Sequence, residues 1–150
     1  MSLLDMGETP GTLTREEGTP MPKVTQLVLN LQSKPGVLAS VAGALGRAGV
    51  NIEGMCGVET AGRGKIRLLV SDVARAEAAL KAAKIRCGRE DAITISLENR
   101  PGTLAQAAEK LARAKVNIKC AYSAMGTAPG PALLVLTVSN FQKGLAALGG

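Results

Sequence analysis

The residues with the means to hold a small molecule stand in two matched sets. Lys34, Pro35, Gly36, Val37 and Leu38 open a segment that closes on Asn51 and Ile52. Arg100, Pro101, Gly102, Thr103 and Leu104 open a second one that closes on Asn117 and Ile118. A glycine at a helix start leaves backbone N–H groups open to a ligand, and those unpaired donors together with the helix dipole suit a carboxylate. The neighbouring base can steer or clamp an anion. The asparagine carries a donor and an acceptor in one amide, which suits a molecule with both a carboxylate and an ammonium. A branched side chain at Gly36 or Gly102 is then expected to block the approach. Plainer roles stand beside these. The glycine makes the turn, the base is a solvated surface charge, and the asparagine satisfies the backbone where a helix passes into a strand.

The same inventory argues against catalysis. There is no histidine, hence no Ser/His or Cys/His pair to activate a nucleophile. Glu53 is matched by Lys119 in the second set, so no carboxylate pair repeats. Lys34-Pro35-Gly36 is too short for a nucleotide-binding loop. Cys56, Cys87 and Cys120 are odd in number and widely spaced. They suit a reducing cytoplasm better than a disulfide framework, and without histidine they give no zinc site. Neither a metal nor another cofactor is expected.

The two sets belong to a longer repeat. Residues 34–52 read KPGVLASVAGALGRAGVNI and residues 100–118 read RPGTLAQAAEKLARAKVNI, an offset of 66 without a gap. Such self-similarity means two copies of one supersecondary unit. In the first copy Leu27, Leu29 and Leu31 alternate with polar Gln26 and Asn30, the pattern of a strand with one buried face. The Lys34-Pro35-Gly36 turn follows, then a helix with Leu38, Val41, Ala42 and Leu45 on its inner face. Gly49 ends it. Residues 51–60 read as a strand, Gly62–Gly64 as a hairpin turn, and Lys65–Ser71 as a third strand. Asp72 caps a second helix, and residues 85–90 form a short fourth strand. The second copy repeats this order from Ile93, Ile95 and Leu97, through a helix with Leu104, Ala108 and Leu111, with Asn140 in the place of Asp72. The loop Gly126–Pro131 is two residues longer than its counterpart, and the chain reaches Gly150 before any fourth strand.

This β-α-β-β-α-β order gives an α+β fold: antiparallel sheets with helices on one face, the ferredoxin-like arrangement. Three segments are expected. Residues 1–22 hold three glycines and three prolines without hydrophobic period and read as a disordered leader. Residues 23–91 form the first domain and residues 92–150 the second, lacking its last strand. The first strand of the second domain, Ile93–Glu98, then needs an edge partner, either the sheet of the first copy or a second chain.

Charge and aromatic content narrow the partners. The chain carries 18 bases and 12 acids, and the leader takes four of the acids. A basic body can mean nucleic acid, but the bases are scattered, and Tyr122 and Phe141 are the only aromatic side chains on which a base could stack. No apolar run is long enough for a membrane span, and no signal peptide is visible.

A strand, a [K/R]PG turn, an xLAxxxxxL helix and an NI leading into the next strand resemble the ACT domain, twice over, across about residues 24–148. The resemblance implies a non-enzymatic regulatory protein that binds an amino acid at the interface between paired domains. It also implies that the ligand contacts come from the turn before the first helix and the start of the second strand. Those positions here are Lys34–Leu38 with Asn51-Ile52, and Arg100–Leu104 with Asn117-Ile118. The open Ile93–Glu98 edge adds the expectation of a homodimer, and the resemblance implies a possible partner enzyme in the manner of the acetolactate synthase small subunit. An RNA-binding ferredoxin-like domain and an acylphosphatase-like hydrolase share the element order but lack their own residues here.

Overall fold

Strand β1 (Lys23–Gln32) follows from the alternation at Leu27, Leu29 and Leu31, of which the first two are fully buried. The computed structural model describes residues 23–124 and 131–149. The expected leader and most of the longer loop before Pro131 lie outside the described residues. After β1 come α1 (Val37–Arg47), β2 (Ile52–Thr60), β3 (Arg63–Val70), α2 (Val73–Ala82), β4 (Gly88–Leu97), α3 (Thr103–Arg113), β5 (Ile118–Ser123), β6 (Ala132–Val138) and α4 (Phe141–Gly149). Each helix buries a pair four residues apart: Val41 and Leu45, Ala76 and Leu80, Ala107 and Leu111, Gly144 and Leu148. That spacing keeps one side of the helix on the sheet. Leu38 and Leu104, expected on the inner faces, are instead 45% and 54% exposed, one turn short of the core.

The β2–β3 hairpin turns at Ala61 and Gly62, one residue earlier than expected, because both take positive φ (52° and 79°) and Arg63 already pairs with Thr60. Two positive φ angles make the tight turn whose twist suits a hairpin. Glu59 secures it, its carboxylate accepting the Gly62 N–H at 2.6 Å.

The six strands form one antiparallel sheet in the order β2-β3-β1-β4-β6-β5. The expected fourth strand of the first copy and first strand of the second are a single strand, β4. It pairs with β1 from Lys23↔Ile93 to Val28↔Gly88, and with β6 from Ile93↔Leu136 to Leu97↔Ala132. The sheet of the first copy therefore continues across the edge of the second, and the boundary expected between residues 91 and 92 falls inside β4. Counting β4 as the first strand of the second unit, both units read strand-helix-strand-strand-helix, and each lends its first strand to the other.

Cross-strand partners share a face of the sheet. Leu27↔Leu68, Leu29↔Ile66, Lys23↔Ile93 and Ile93↔Leu136 thus place both helix-covered cores on one side. The first core joins Leu27, Leu29 and Leu68 to Val41, Leu45 and Leu80; the second joins Ile93, Ile95 and Leu136 to Leu111 and Leu148. At Gly144 an added Cβ would lie 3.0 Å from Val138 Cγ2 and 3.3 Å from Ile93 Cδ1, so glycine lets α4 approach this closely. On the other face the sheet curls until its edge strands meet. A bridge joins Gly54 to Ala124, and Leu69, Ala92, Tyr122 and Val135 form a third cluster inside, with Val24, Cys56, Cys120 and Ala124 packed around them. The result is a closed, barrel-like sheet with the four helices outside.

Candidate functional site

Both Pro-Gly turns put glycine in the left-handed region, Gly36 at φ 91° and Gly102 at φ 93°, as N-caps of α1 and α3. Only glycine takes that conformation at little cost. Neither helix start has a side-chain cap. By contrast, Asp72 caps α2 by accepting the Arg75 N–H at 3.0 Å, and Asn140 accepts the Lys143 N–H at 3.0 Å at the start of α4. The backbone closes part of each uncapped start: Ser40 N–H bonds Gly36 C=O and Gln106 N–H bonds Gly102 C=O. An added Cβ at Gly36 or Gly102 meets no atom within 4 Å. A larger residue there would project into the open space before the helix start and would also strain a positive-φ backbone.

Beside each turn lies an open cleft. The first, about 240 Å³, is lined by Leu31, Lys34, Val37, Leu38, Val58 and Glu59 among others. The second, about 300 Å³, is lined by Leu97, Glu98, Arg100, Thr103, Gln106 and Lys110 among others. The shared positions Leu31/Leu97, Lys34/Arg100 and Val37/Thr103 are related by the repeat. Pro35, Pro101, Leu38 and Leu104 are exposed at the rims.

The two clefts differ in charge. Arg100 is engaged by the Glu98 carboxylate, and Thr103 Oγ1 donates to Glu98 C=O at 2.8 Å, so this turn is closed by its own contacts. In the first unit Gln32 takes the place of Glu98, and Lys34 makes no ion pair among the described residues. Lys34 is therefore free of a competing carboxylate partner among the described residues, while Glu59 lines the same cleft.

Asn51 and Asn117 lie elsewhere. The 11-residue helices α1 and α3 separate each from its turn by about 16 Å along the axis. Their backbones clip the second strand of each unit to the end of the third. Asn51 N–H donates to Ser71 Oγ at 3.0 Å and its C=O accepts the Ser71 N–H at 3.0 Å. Asn117 and Ser139 repeat this at 2.9 and 2.8 Å. Both asparagine side chains are exposed, while Ile52 and Ile118 pack against their own cores. So within one unit the structure brings the turn residues together and leaves the asparagine at the far end. Each cleft is lined by its own unit alone.

A polar cluster that the repeat did not announce occupies the inside of the closed sheet. Gln26, fully buried, donates from Nε2 to Glu90 Oε1 at 2.9 Å and to Thr137 Oγ1 at 2.8 Å. The Tyr122 hydroxyl donates to Gln26 Oε1 at 2.6 Å, and Arg67 Nε donates to Glu90 Oε1 at 2.9 Å. Burial, then the neighbouring thiols, push the Tyr122 phenol well above its ordinary pKa. The sequence signal was Gln26 standing between Val24 and Val28 on one face of a strand that is covered on both faces.

Among the described residues there is no group of three or more metal-ligating side chains, and no helix long and apolar enough to cross a membrane.

These features, a βαββα unit twice over with uncapped Pro-Gly helix starts, define a paired ACT-type fold. The chain belongs to the ACT domain pair family, whose model matches residues 22–146. It is similar to protein BT0572 from Bacteroides thetaiotaomicron, at 32% identity over 84% of this chain and 86% of that one, with a TM-score of 0.77. The fold is also that of the ligand-free regulatory subunit of aspartate kinase from Thermus thermophilus, at 18% identity, 87% and 95% coverage and a TM-score of 0.60. In Clostridium acetobutylicum aspartate kinase the chain matches 33% of the enzyme's length with 87% of its own, at 14% identity and a TM-score of 0.54. No curated protein matches the chain in sequence.

Proposed function

We propose that this ACT domain pair is a non-enzymatic regulatory protein of the cytoplasm that binds a free α-amino acid. The observation that carries the reading is the contrast between the helix starts: α2 and α4 are capped by their own side chains, whereas the repeat-related α1 and α3 open uncapped beside clefts. The first cleft is the better carboxylate site, since Lys34 is unpaired among the described residues and Glu59 can take the ammonium. A homodimer supplies what one unit lacks, an asparagine from one copy (Asn51 or Asn117) beside the turn of the other. Ligand bridging such a pair stabilises that pairing, and only this differential affinity carries a signal.

The test is a thermal-shift screen of the twenty amino acids, followed by calorimetry. A ligand at a hundred times its dissociation constant adds about 2.7 kcal/mol, a shift of several degrees for a protein of this size. No shift at millimolar concentrations and no heat would end the amino-acid reading for the isolated chain. A second reading, that the chain is the regulatory subunit of an amino-acid biosynthetic enzyme, is favoured by its likeness in fold to aspartate kinase regulatory subunits. Recovery of a catalytic partner with the tagged chain supports it, and recovery of the chain alone counts against it.

A further inference from the structure

Cys56 on β2 and Cys120 on β5 lie 64 residues apart in sequence and on opposite edges of the sheet, yet their sulfurs are 4.0 Å apart, the Cys120 thiol directed at Cys56 Sγ. They meet because the sheet closes. Both are half-buried, so a small oxidant can reach them. Arg67, Glu90 and Tyr122 surround the pair. Beside it, among the described residues, the seam is held by the Gly54↔Ala124 bridge and by packing. Cys87, the third thiol, stands outside the closed sheet, in a separate cleft with Glu77, Lys81 and Lys84.

We propose that Cys56 and Cys120 form a reversible intramolecular disulfide that staples the seam between the two units, with a hydroperoxide as oxidant. Cys56 Sγ attacks the distal oxygen of the hydroperoxide: an S–O bond forms, the O–O bond breaks, the proximal oxygen takes the thiol proton and leaves as an alcohol or water, and Cys56 becomes a sulfenic acid. Cys120 Sγ then attacks the Cys56 sulfur, its proton leaves with the departing hydroxyl as water, and the disulfide forms. Two thiols lose two electrons to the peroxide, and a dithiol reductant restores them. The sulfurs must close from 4.0 Å to the bond length of about 2.05 Å, a movement a seam with one bridge can make. Before oxidation the edge strands β2 and β5 meet through the Gly54↔Ala124 bridge and side-chain packing among the described residues; after it they are covalently joined. The staple does not depend on the amino-acid reading.

The experiment treats the reduced full chain with hydrogen peroxide, then counts thiols in denaturant, measures intact mass and maps the peptides. The expected result is a fall from three thiols to one, a loss of two hydrogens, a peptide linking Cys56 to Cys120, and a higher melting temperature that dithiothreitol reverses. Cys87→Ser should behave as the parent and end with no free thiol. Cys56→Ser and Cys120→Ser, or the alanine variants where serine prevents folding, should show no rise in melting temperature. Three thiols surviving, a linkage through Cys87, a bond only between chains, or an unchanged or lower melting temperature after linkage would each overturn the proposal.

Discussion

Replacing Gln26 by leucine tests whether the inside of the closed sheet is held by its polar cluster or merely tolerates it. Leucine keeps most of the volume and adds apolar area, so simple burial predicts little loss or a gain. The hydrogen bonds predict the opposite. In the wild type the Gln26 amide satisfies Glu90, Thr137 and Tyr122 at 2.6–2.9 Å. Gln26→Leu leaves Glu90 with Arg67 but orphans the Tyr122 and Thr137 hydroxyls, which are 8% and 3% exposed. Each orphaned buried group costs about 1–3 kcal/mol. Against a modest apolar gain, the net loss comes to about 2–4 kcal/mol, or roughly 10 °C in melting temperature. Tyr122→Phe removes one bond and orphans only Gln26 Oε1, a loss of about 1–2 kcal/mol. In the double variant the Tyr122 hydroxyl is gone before it can be orphaned, so the two losses should sum to less than their parts by about 1 kcal/mol. Urea unfolding of the four proteins gives the cycle. A Gln26→Leu protein within about 0.5 kcal/mol of wild type, or strict additivity, would show that the cluster is not the constraint proposed.

Other outcomes follow from the same geometry. Tyr122 is held above its ordinary pKa, so the folded state keeps a proton the unfolded chain releases near pH 10. Stability should therefore fall as pH rises past that point. Tyr122→Phe should flatten the slope, leaving the part due to Cys87 and Cys120, also raised by burial; an unchanged slope refutes the assignment. Gly36→Ala and Gly102→Ala should each cost about 1–2 kcal/mol through positive φ alone, as read by denaturant unfolding. Lys115 holds φ 61° where the first unit has Gly49 at 75°, so Lys115→Gly should stabilise by about 0.5–1 kcal/mol, and a loss would contradict the cap geometry. Once a ligand is found, Lys34→Ala should weaken it up to about fivefold, while Arg100→Ala, already engaged by Glu98, should matter less in calorimetry.

Much of this was legible because the signals are local. The Pro-Gly turns, the capping residues Asp72 and Asn140 and the alternation along β1 each depend on neighbours within a few residues, and all stand in the structure as expected. What failed was long-range. Residues 85–98 look like two short strands with a break between, since Arg89, Glu90 and Asp91 interrupt the apolar pattern. Only the partners explain them: Glu90 is taken up inside by Gln26 and Arg67, and Arg89 outside by Glu77 at 2.7 Å. The fusion into β4 is therefore a tertiary fact. The separation of Asn51 and Asn117 from the turns, by contrast, was legible, because each turn opens a helix of about three turns and the asparagine follows it.

The repeat itself explains where the two copies had to diverge. On the outer face the copies meet through peripheral contacts, such as Arg89 with Glu77 and Lys23 over the Phe141 ring, that leave the Pro-Gly turns and clips untouched, so these could stay alike. Inside the closed sheet, equivalent positions meet near the axis relating the units and compete for the same space. Tyr122 is the counterpart of Cys56, and Cys120 of Gly54. All four gather at the seam, where an added Cβ on Gly54 would stand 3.2 Å from the Tyr122 ring. A tyrosine in both copies would need that volume twice, and a glycine in both would leave it empty. Gly54→Ala separates this account from mere drift. If the glycine exists to admit the ring, a methyl group there should push β2 from β5, cost about 1–3 kcal/mol as overpacking does, and part Cys56 from Cys120 so that peroxide links them more slowly. Tyr122→Leu, added to Gly54→Ala, relieves the contact with the ring but not the one with Ala124 Cα at 3.1 Å, and should recover part of the stability. A Gly54→Ala protein as stable as the parent, with thiols that couple at the same rate, would mean that the seam is loose enough for either copy's residue and that the divergence has another cause.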